Sequence, residues 1–317
     1  MVVVSLKPVD RVEVLSIMDN SIDVLMGNTS IARRASRTRD SFSRPQLRAE
    51  HGVSMLVTIH DNGNKDSFLF DTGVTIDGVL HNMDALEVRP NELHAIVLSH
   101  GHTDHTRGLI GLIKRYGRPQ IPIVLHPDAF LKRKNVFPDG HETEHIPPNR
   151  RDLEAEDIQI LEERGPTMLV GGHALVTGQI ARTTSFEKGT PTQVAWIDSK
   201  WQVDPWIHDD QAVIINVKDK GLVVLTGCGH AGVVNTLKHA RDMTGINNIH
   251  AVIGGFHLTG PIFEPIIMPT VQALKEFNPR IIVPEHCTGW KATQLIAREF
   301  PEAFVPNSVG TTMVIGA

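Results

Sequence analysis

Residues 100–105 read His-Gly-His-Thr-Asp-His and follow directly on the β-type run Ala95-Ile96-Val97-Leu98-Ser99. Three imidazoles and one carboxylate within six residues make a metal-ligand cluster. A strand ending at Ser99 delivers His100 and His102 to one sheet edge, and Gly101 lets the two rings converge. Asp104 and His105 then open a helix and face a second position nearby. Donors of this kind suit Zn²⁺, with Mn²⁺ and Fe²⁺ as alternatives. Stability alone gives no reason to crowd so many ionisable groups at a strand-to-helix turn.

Short, β-branched apolar runs alternate with helical patterns on both sides of this turn. The alternation predicts strands at 12–18, 54–60, 67–70, 95–99, 121–126, 174–177, 212–217, 222–226, 251–254, 281–284 and 312–315. Lys218-Asp219-Lys220-Gly221 reads as a hairpin turn between two of them. Helices are expected at 76–86, 104–116, 232–243, 268–277 and 291–300, the fourth stopped by Pro279. Sheets covered by helices follow, not an all-β barrel. Residues 27–50, rich in Ser and Arg, read as an exposed arm. Residues 127–168 carry Pro127, Pro138, Pro147, Pro148 and many charges, and read as an insertion or lid over the sheet.

With 317 residues, 41% of them hydrophobic, the chain has room for one large α/β domain, expected to span 1–317. A net charge of −5 gives no basic footprint for nucleic acid. No run approaches the ~18–20 apolar residues of a spanning helix, so no membrane partner is expected. Met1-Val-Val-Val-Ser-Leu-Lys is too short an apolar run for a signal peptide. Two cysteines, Cys228 and Cys287, give no disulfide framework. A cytoplasmic, reducing location is the simplest expectation, with a small-molecule substrate, phosphorylated in one reading, as partner. A homo-oligomer stays open.

His-x-His-x-Asp-His after a strand resembles the metallo-β-lactamase superfamily. Asp71-Thr72-Gly73 matches its early Asp-x-Gly. Thr226-Gly227-Cys228-Gly229-His230-Ala231-Gly232, Gly254-Gly255-Phe256-His257-Leu258 and Pro284-Glu285-His286-Cys287-Thr288-Gly289 each end a strand. With Glu50-His51-Gly52-Val53-Ser54 and Thr177-Gly178-Gln179-Ile180-Ala181-Arg182, they resemble one branch. Its members are the 7,8-dihydropterin-6-methyl-4-(β-D-ribofuranosyl)aminobenzene 5′-phosphate synthase-like proteins. Gln179 and Ala181 stand where that branch has Glu and Pro, and Arg107 interrupts the glycines usual after the metal motif.

The resemblance implies an αββα four-layer sandwich, two mixed sheets with helices on their outer faces, and two divalent metals at the sheet edge. His100, His102 and His230 are the implied ligands of the first metal. Asp104, His105 and His286 are those of the second. His230 has the alternative of holding a substrate oxyanion. His257 is expected beside the metals, in a proton-transfer role or as a ligand, and His173 is expected at the surface. Asp71 is expected to fix the ligand loop by hydrogen bonds. Cys228, where many relatives carry a bridging Asp, is either a thiolate ligand or a packed thiol. Arg107, His257 and Thr288 are the candidates for substrate binding, Arg107 having solvent as its other reading. Trp196, Trp201 and Trp206 either line a pocket or staple a long loop.

The implied activity is a dinuclear hydrolase that uses a metal-bound hydroxide on a phosphoester, phosphodiester, lactone or related ester, with Asp104 and His257 as catalytic residues. The branch suggests another: transfer of a dihydropterin-methyl group from its diphosphate to an arylamine, with release of diphosphate. An iron-dependent redox enzyme and a non-catalytic metal protein complete the set. An overall acidic chain without a further domain disfavours a nuclease, and the family name does not make it a β-lactamase.

Overall fold

Ala212–Val217 and Gly221–Thr226 are apolar on both faces and pair antiparallel across the predicted turn, where Asp219 and Gly221 take positive φ. Strands so uniformly apolar need cover on both sides, and that requirement organises the molecule. A computed structural model describes residues 3–35, 45–89, 93–116 and 121–317.

Among the described residues, these two strands lie inside a seven-stranded mixed sheet. It runs from Thr167–Leu169 through Ala174–Val176 and the hairpin to Ile249–Gly255 and Ile281–Glu285, with Pro8–Val9 alongside Ala212–Val217. An eight-stranded sheet faces it, in the order Ile160–Glu162, Ile123–Leu125, Leu93–Val97, Asn64–Phe70, Ser54–Asp61, Arg11–Met18, Thr312–Gly316 and Ala32–Arg33. Val57, Phe68, Phe70 and Val97 of the second sheet pack against Val213, Ile215, Val223 and Ile253 of the first, forming the central core. Helices Val233–Thr244, Ile267–Phe277 and Trp290–Glu299 cover the outside of the seven-stranded sheet. Gly78–Ala85 and Leu109–Tyr116 cover the other. The result is the expected αββα sandwich.

The structure corrects the sequence reading in four places. The strand expected at 95–99 is Leu93–Val97, because the Asp71 carboxylate captures the Ser99 N–H that a longer ladder would use. The helix expected at 104–116 is two helices, Thr103–Thr106 and Leu109–Tyr116. The break falls where the Thr72 N–H and hydroxyl both bond to the His105 carbonyl, and where a Cβ on Gly108 would lie 1.9 Å from the Thr72 carbonyl oxygen. Residues 127–168 are not one insertion. Ile160–Glu162 and Thr167–Leu169 belong to the main sheets, while Arg133–Val136 and Glu142–His145 join Gln193–Ile197 and Lys200–Val203 in a separate four-stranded sheet. The arm expected at 27–50 contributes the short strand Ala32–Arg33, and its residues 36–44 lie outside the described residues.

Candidate metal centre

The C-terminal ends of parallel-paired strands from both sheets meet at one edge of the sandwich. Leu93–Val97 leads to His100, Gly221–Thr226 to Cys228 and His230, Ile249–Gly255 to His257, and Ile281–Glu285 to His286. Candidate ligand residues scattered over nearly two hundred positions are brought together by this shared strand polarity.

The rings of His100, His105 and His286 are each held by one nitrogen. Ser99 Oγ donates to Asp71 Oδ2 at 2.6 Å, so it accepts the His100 Nδ1–H at 2.9 Å. That leaves His100 Nε2 buried with no hydrogen-bond partner. His105 Nδ1–H donates to Asp71 Oδ2 at 2.6 Å, and its Nε2 lies 3.1 Å from Cys228 Sγ and 3.6 Å from Asp104 Oδ2. The His286 Nδ1–H donates to Asn20 Oδ1, its backbone N–H donates to Asp19, and its Nε2 reaches within 3.1 Å of Asp104 Oδ2. His102 Nδ1 lies 3.1 Å from His230 Nε2, and its own Nε2 is buried without a partner. Orientation of a ligand ring through its second nitrogen is the usual support of a metal-binding histidine.

Four donor groups result among the described residues, one of them Cys228, His257 and Cys287, and two matter most. Asp104, His105, Cys228 and His286 form one, and His100, Cys228 and His230 another, with the donor atoms of each group within 4.8 Å of one another. The rings of His100, His102 and His230 meet pairwise at 4.5–4.8 Å between centroids. Cys228 therefore stands between the groups. His102 also belongs to a group with Asp104 and His145.

The electrostatics fit cation binding. Burial holds His100, His102 and His230 neutral, well below the usual imidazole range, with their neighbouring cations adding to the effect. Neutral imidazoles present lone pairs. Burial works against ionised Asp104, yet His105 and His286 beside it keep the carboxyl well below the usual range. Burial likewise opposes charge on His105, but Asp104 and Asp71 raise it to about 9. The protein alone thus places a proton where a second cation would sit. Burial pushes the Cys228 thiol up, and a bound cation reverses that sign.

The remaining candidates separate. Asp71, fully buried and at positive φ, anchors Ser99 and His105 as the motif implied. His257 packs 4.1 Å from the His230 ring, also at positive φ, with Nδ1 buried and unpartnered. Arg107 is exposed at the end of its helical turn. Thr288 is not available to a substrate, because it is buried and its Oγ accepts the Phe256 N–H at 3.0 Å. His173 lies half-buried near Asp61, off the cluster. Trp196 and Trp201 form a cross-strand pair on the small sheet, and neither they nor Trp206 line the cavity beside the metal centre.

Two residues escaped the sequence reading. His145 stacks on His102 with centroids 3.9 Å apart, and His51 stacks on His286 at 4.4 Å with its Nε2 3.8 Å from Asp104. His51 was visible only as part of the Glu50-His51-Gly52 run. No local signal marked His145.

The profile of the metallo-beta-lactamase superfamily matches residues 47–242, and the chain belongs to that superfamily. The 7,8-dihydropterin-6-methyl-4-(beta-D-ribofuranosyl)-aminobenzene-5′-phosphate synthase of Methanocaldococcus jannaschii is 34% identical over 259 residues, covering 81% of this chain and 87% of its own. An uncharacterized protein of the same organism is 28% identical over 260 residues, 80% of this chain and 90% of its own. Among solved structures, a metal-dependent hydrolase of the β-lactamase superfamily superposes with a TM-score of 0.73 at 23% identity, over 96% of this chain and all of that one. A metal-dependent enzyme fold is thereby established. No helix among the described residues is long and apolar enough to cross a membrane.

Proposed function

We propose that the protein is a hydrolase with two divalent metals, zinc first among them, acting on a phosphoester, phosphodiester, lactone or related ester. The observation that carries this reading is the pair of adjacent donor groups, each with a buried imidazole nitrogen free of any hydrogen bond. His100, His102 and His230 would hold one ion, and Asp104, His105 and His286 the other, with Cys228 Sγ between them. Bound ions of this kind supply an acidified water and an electrophile for the scissile oxygen. Asp104, ionised and directed between the groups, orients the attacking water and accepts its hydrogen bond. His257, on the outer side of His230, has Nδ1 free to carry a proton for the leaving group. Asp71 keeps the His105 tautomer fixed throughout.

A second reading takes its cue from the relative named as a synthase: the same ions would hold a diphosphate leaving group, and an arylamine would take the place of water. Product analysis in ¹⁸O-water separates the two. A hydrolase carries the label into product with no amine present, whereas a transferase turns over only with the acceptor. Elemental analysis of protein purified without added metal comes first. Two ions per chain are expected, one lost in His230→Ala and one in His286→Ala. A single ion retained in both variants overturns the dinuclear reading.

A further inference from the structure

A cavity of ≈180 Å³ opens beside the metal centre, and His230 and His257 form the wall between them. Much of the remaining lining is apolar: Phe186 and Phe256, with Leu258 and Phe263 from the loop that carries His257. Phe263 meets the His257 ring edge-on, centroids 4.4 Å apart, and so extends the wall outward. The Glu187 carboxylate also borders the space, but both its oxygens are already engaged, by the N–H groups of Val234 and Asn235 and by the Thr184 hydroxyl. Lys188 is exposed at the border and has no ion-pair partner among the described residues.

Apolar cavities of about 150 Å³ accept a benzene-sized ring, so this space takes one flat ring or a small fused pair. His230 belongs both to the cavity lining and to a donor group, so a ring seated here lies next to the metal centre. The unpartnered Nδ1 of His257 lies at the junction. We infer that the cavity is the substrate's ring subsite: a flat, largely apolar ring of the substrate seats against Phe186 and Phe263, next to the group that is cleaved. This rests on the hydrolytic reading above and narrows it to aryl-type or ring-bearing substrates. It also moves substrate recognition from the tryptophans of the small sheet to the phenylalanines of the C-terminal half.

Calorimetric titration of the zinc-loaded protein tests it. The probes are product-like anions in pairs: phenylphosphonate against methylphosphonate, and phenylacetate against acetate. The ring-bearing member of the binding pair should bind at least tenfold more tightly. Phe186→Ala and Phe263→Ala should each cut that preference several-fold while leaving the small anion's affinity alone. Ile262→Trp, at a partly exposed lining position, should fill the cavity and abolish the preference without disturbing the fold. Equal affinity for ring and methyl probes overturns the ring subsite and leaves the hydrolytic reading standing, as does a preference unchanged in all three variants. Binding of neither pair overturns the hydrolytic reading, and this inference with it.

Discussion

At the scale of single residues, the metal motif is held from outside by a buried ion pair. Arg133 donates through Nη2 and Nη1 to Asp209, at 2.7 and 3.1 Å, and through Nε to Asp204 at 2.8 Å. Asp209 Oδ2 in turn accepts the Gly101 N–H at 2.8 Å, between the two histidines of the motif. Gly101 itself packs so closely on Ala129 that a Cβ would lie 2.1 Å from its carbonyl oxygen. Removing one partner of a buried pair strands the other charge, at a cost of about 3–5 kcal/mol. Asp209→Asn keeps the volume and part of the bonding. It should lower stability by about 2–3 kcal/mol and weaken zinc binding about 10–100-fold. Urea unfolding and competition with a chelator read the two effects separately. Unaltered zinc affinity would mean that Gly101 is held by Ala129 packing alone. Asp104→Ala should release one metal and remove most turnover while keeping the far-ultraviolet circular dichroism. Full turnover in that variant would exclude Asp104 from the chemistry.

Among the elements, helix Val233–Thr244 shows how the fold spends a carboxylate. Its N-cap is Gly232, at φ +90°, which offers no side chain to the first-turn N–H groups. Glu187, distant in sequence, accepts those of Val234 and Asn235, and a Cβ on Gly232 would collide with it. Burial, against these bonds, raises the Glu187 carboxyl from 4.5 to about 7. Between those values the folded protein keeps a proton that the unfolded chain has lost. Its contribution is full below about pH 4.5 and fades as pH rises through 7, a loss on the order of 3 kcal/mol. Asp210, raised by burial to about 6, acts in the same direction. Glu187→Gln should flatten this part of the profile measured by denaturant unfolding from pH 5 to 8. Parallel profiles for the two proteins would refute the assignment.

The same scale explains what the sequence could and could not reveal. Strands such as Arg11–Met18 and Gly221–Thr226 announce themselves by alternation or by uniformly apolar runs, and the metal motif by its spacing. Arg133–Val136 and Glu142–His145 read Arg-Lys-Asn-Val and Glu-Thr-Glu-His, with no buried apolar face. They become strands only by pairing with each other and with Gln193–Ile197, sixty residues on. His145 owes its place beside His102 to that long-range pairing, so no local pattern could expose it. The cavity is hidden for a similar reason. Phe186 and Phe263 are far apart in the chain and meet only because their loops leave the same sheet edge.

At the scale of the whole molecule, the centre ties the two sheets together. His100 to His105 follow a strand of the eight-stranded sheet, while Cys228, His230 and His286 follow strands of the seven-stranded one. The apolar core already joins the sheets across their full width. Ions bound across the edge add to it, because the unfolded chain holds no preformed site. A ligand at about a thousand times its dissociation constant contributes about 4 kcal/mol. In a chain of 317 residues that corresponds to a melting shift of roughly 6 °C. Dialysis against a chelator should therefore lower the midpoint by about that amount, and zinc should restore it. On the two-ion proposal, His286→Ala should show a smaller shift, since one cross-sheet link would already be gone. If chelation strips the metal completely and the midpoint stays put, the core alone holds the sheets, and the ions serve the chemistry without stabilising the fold.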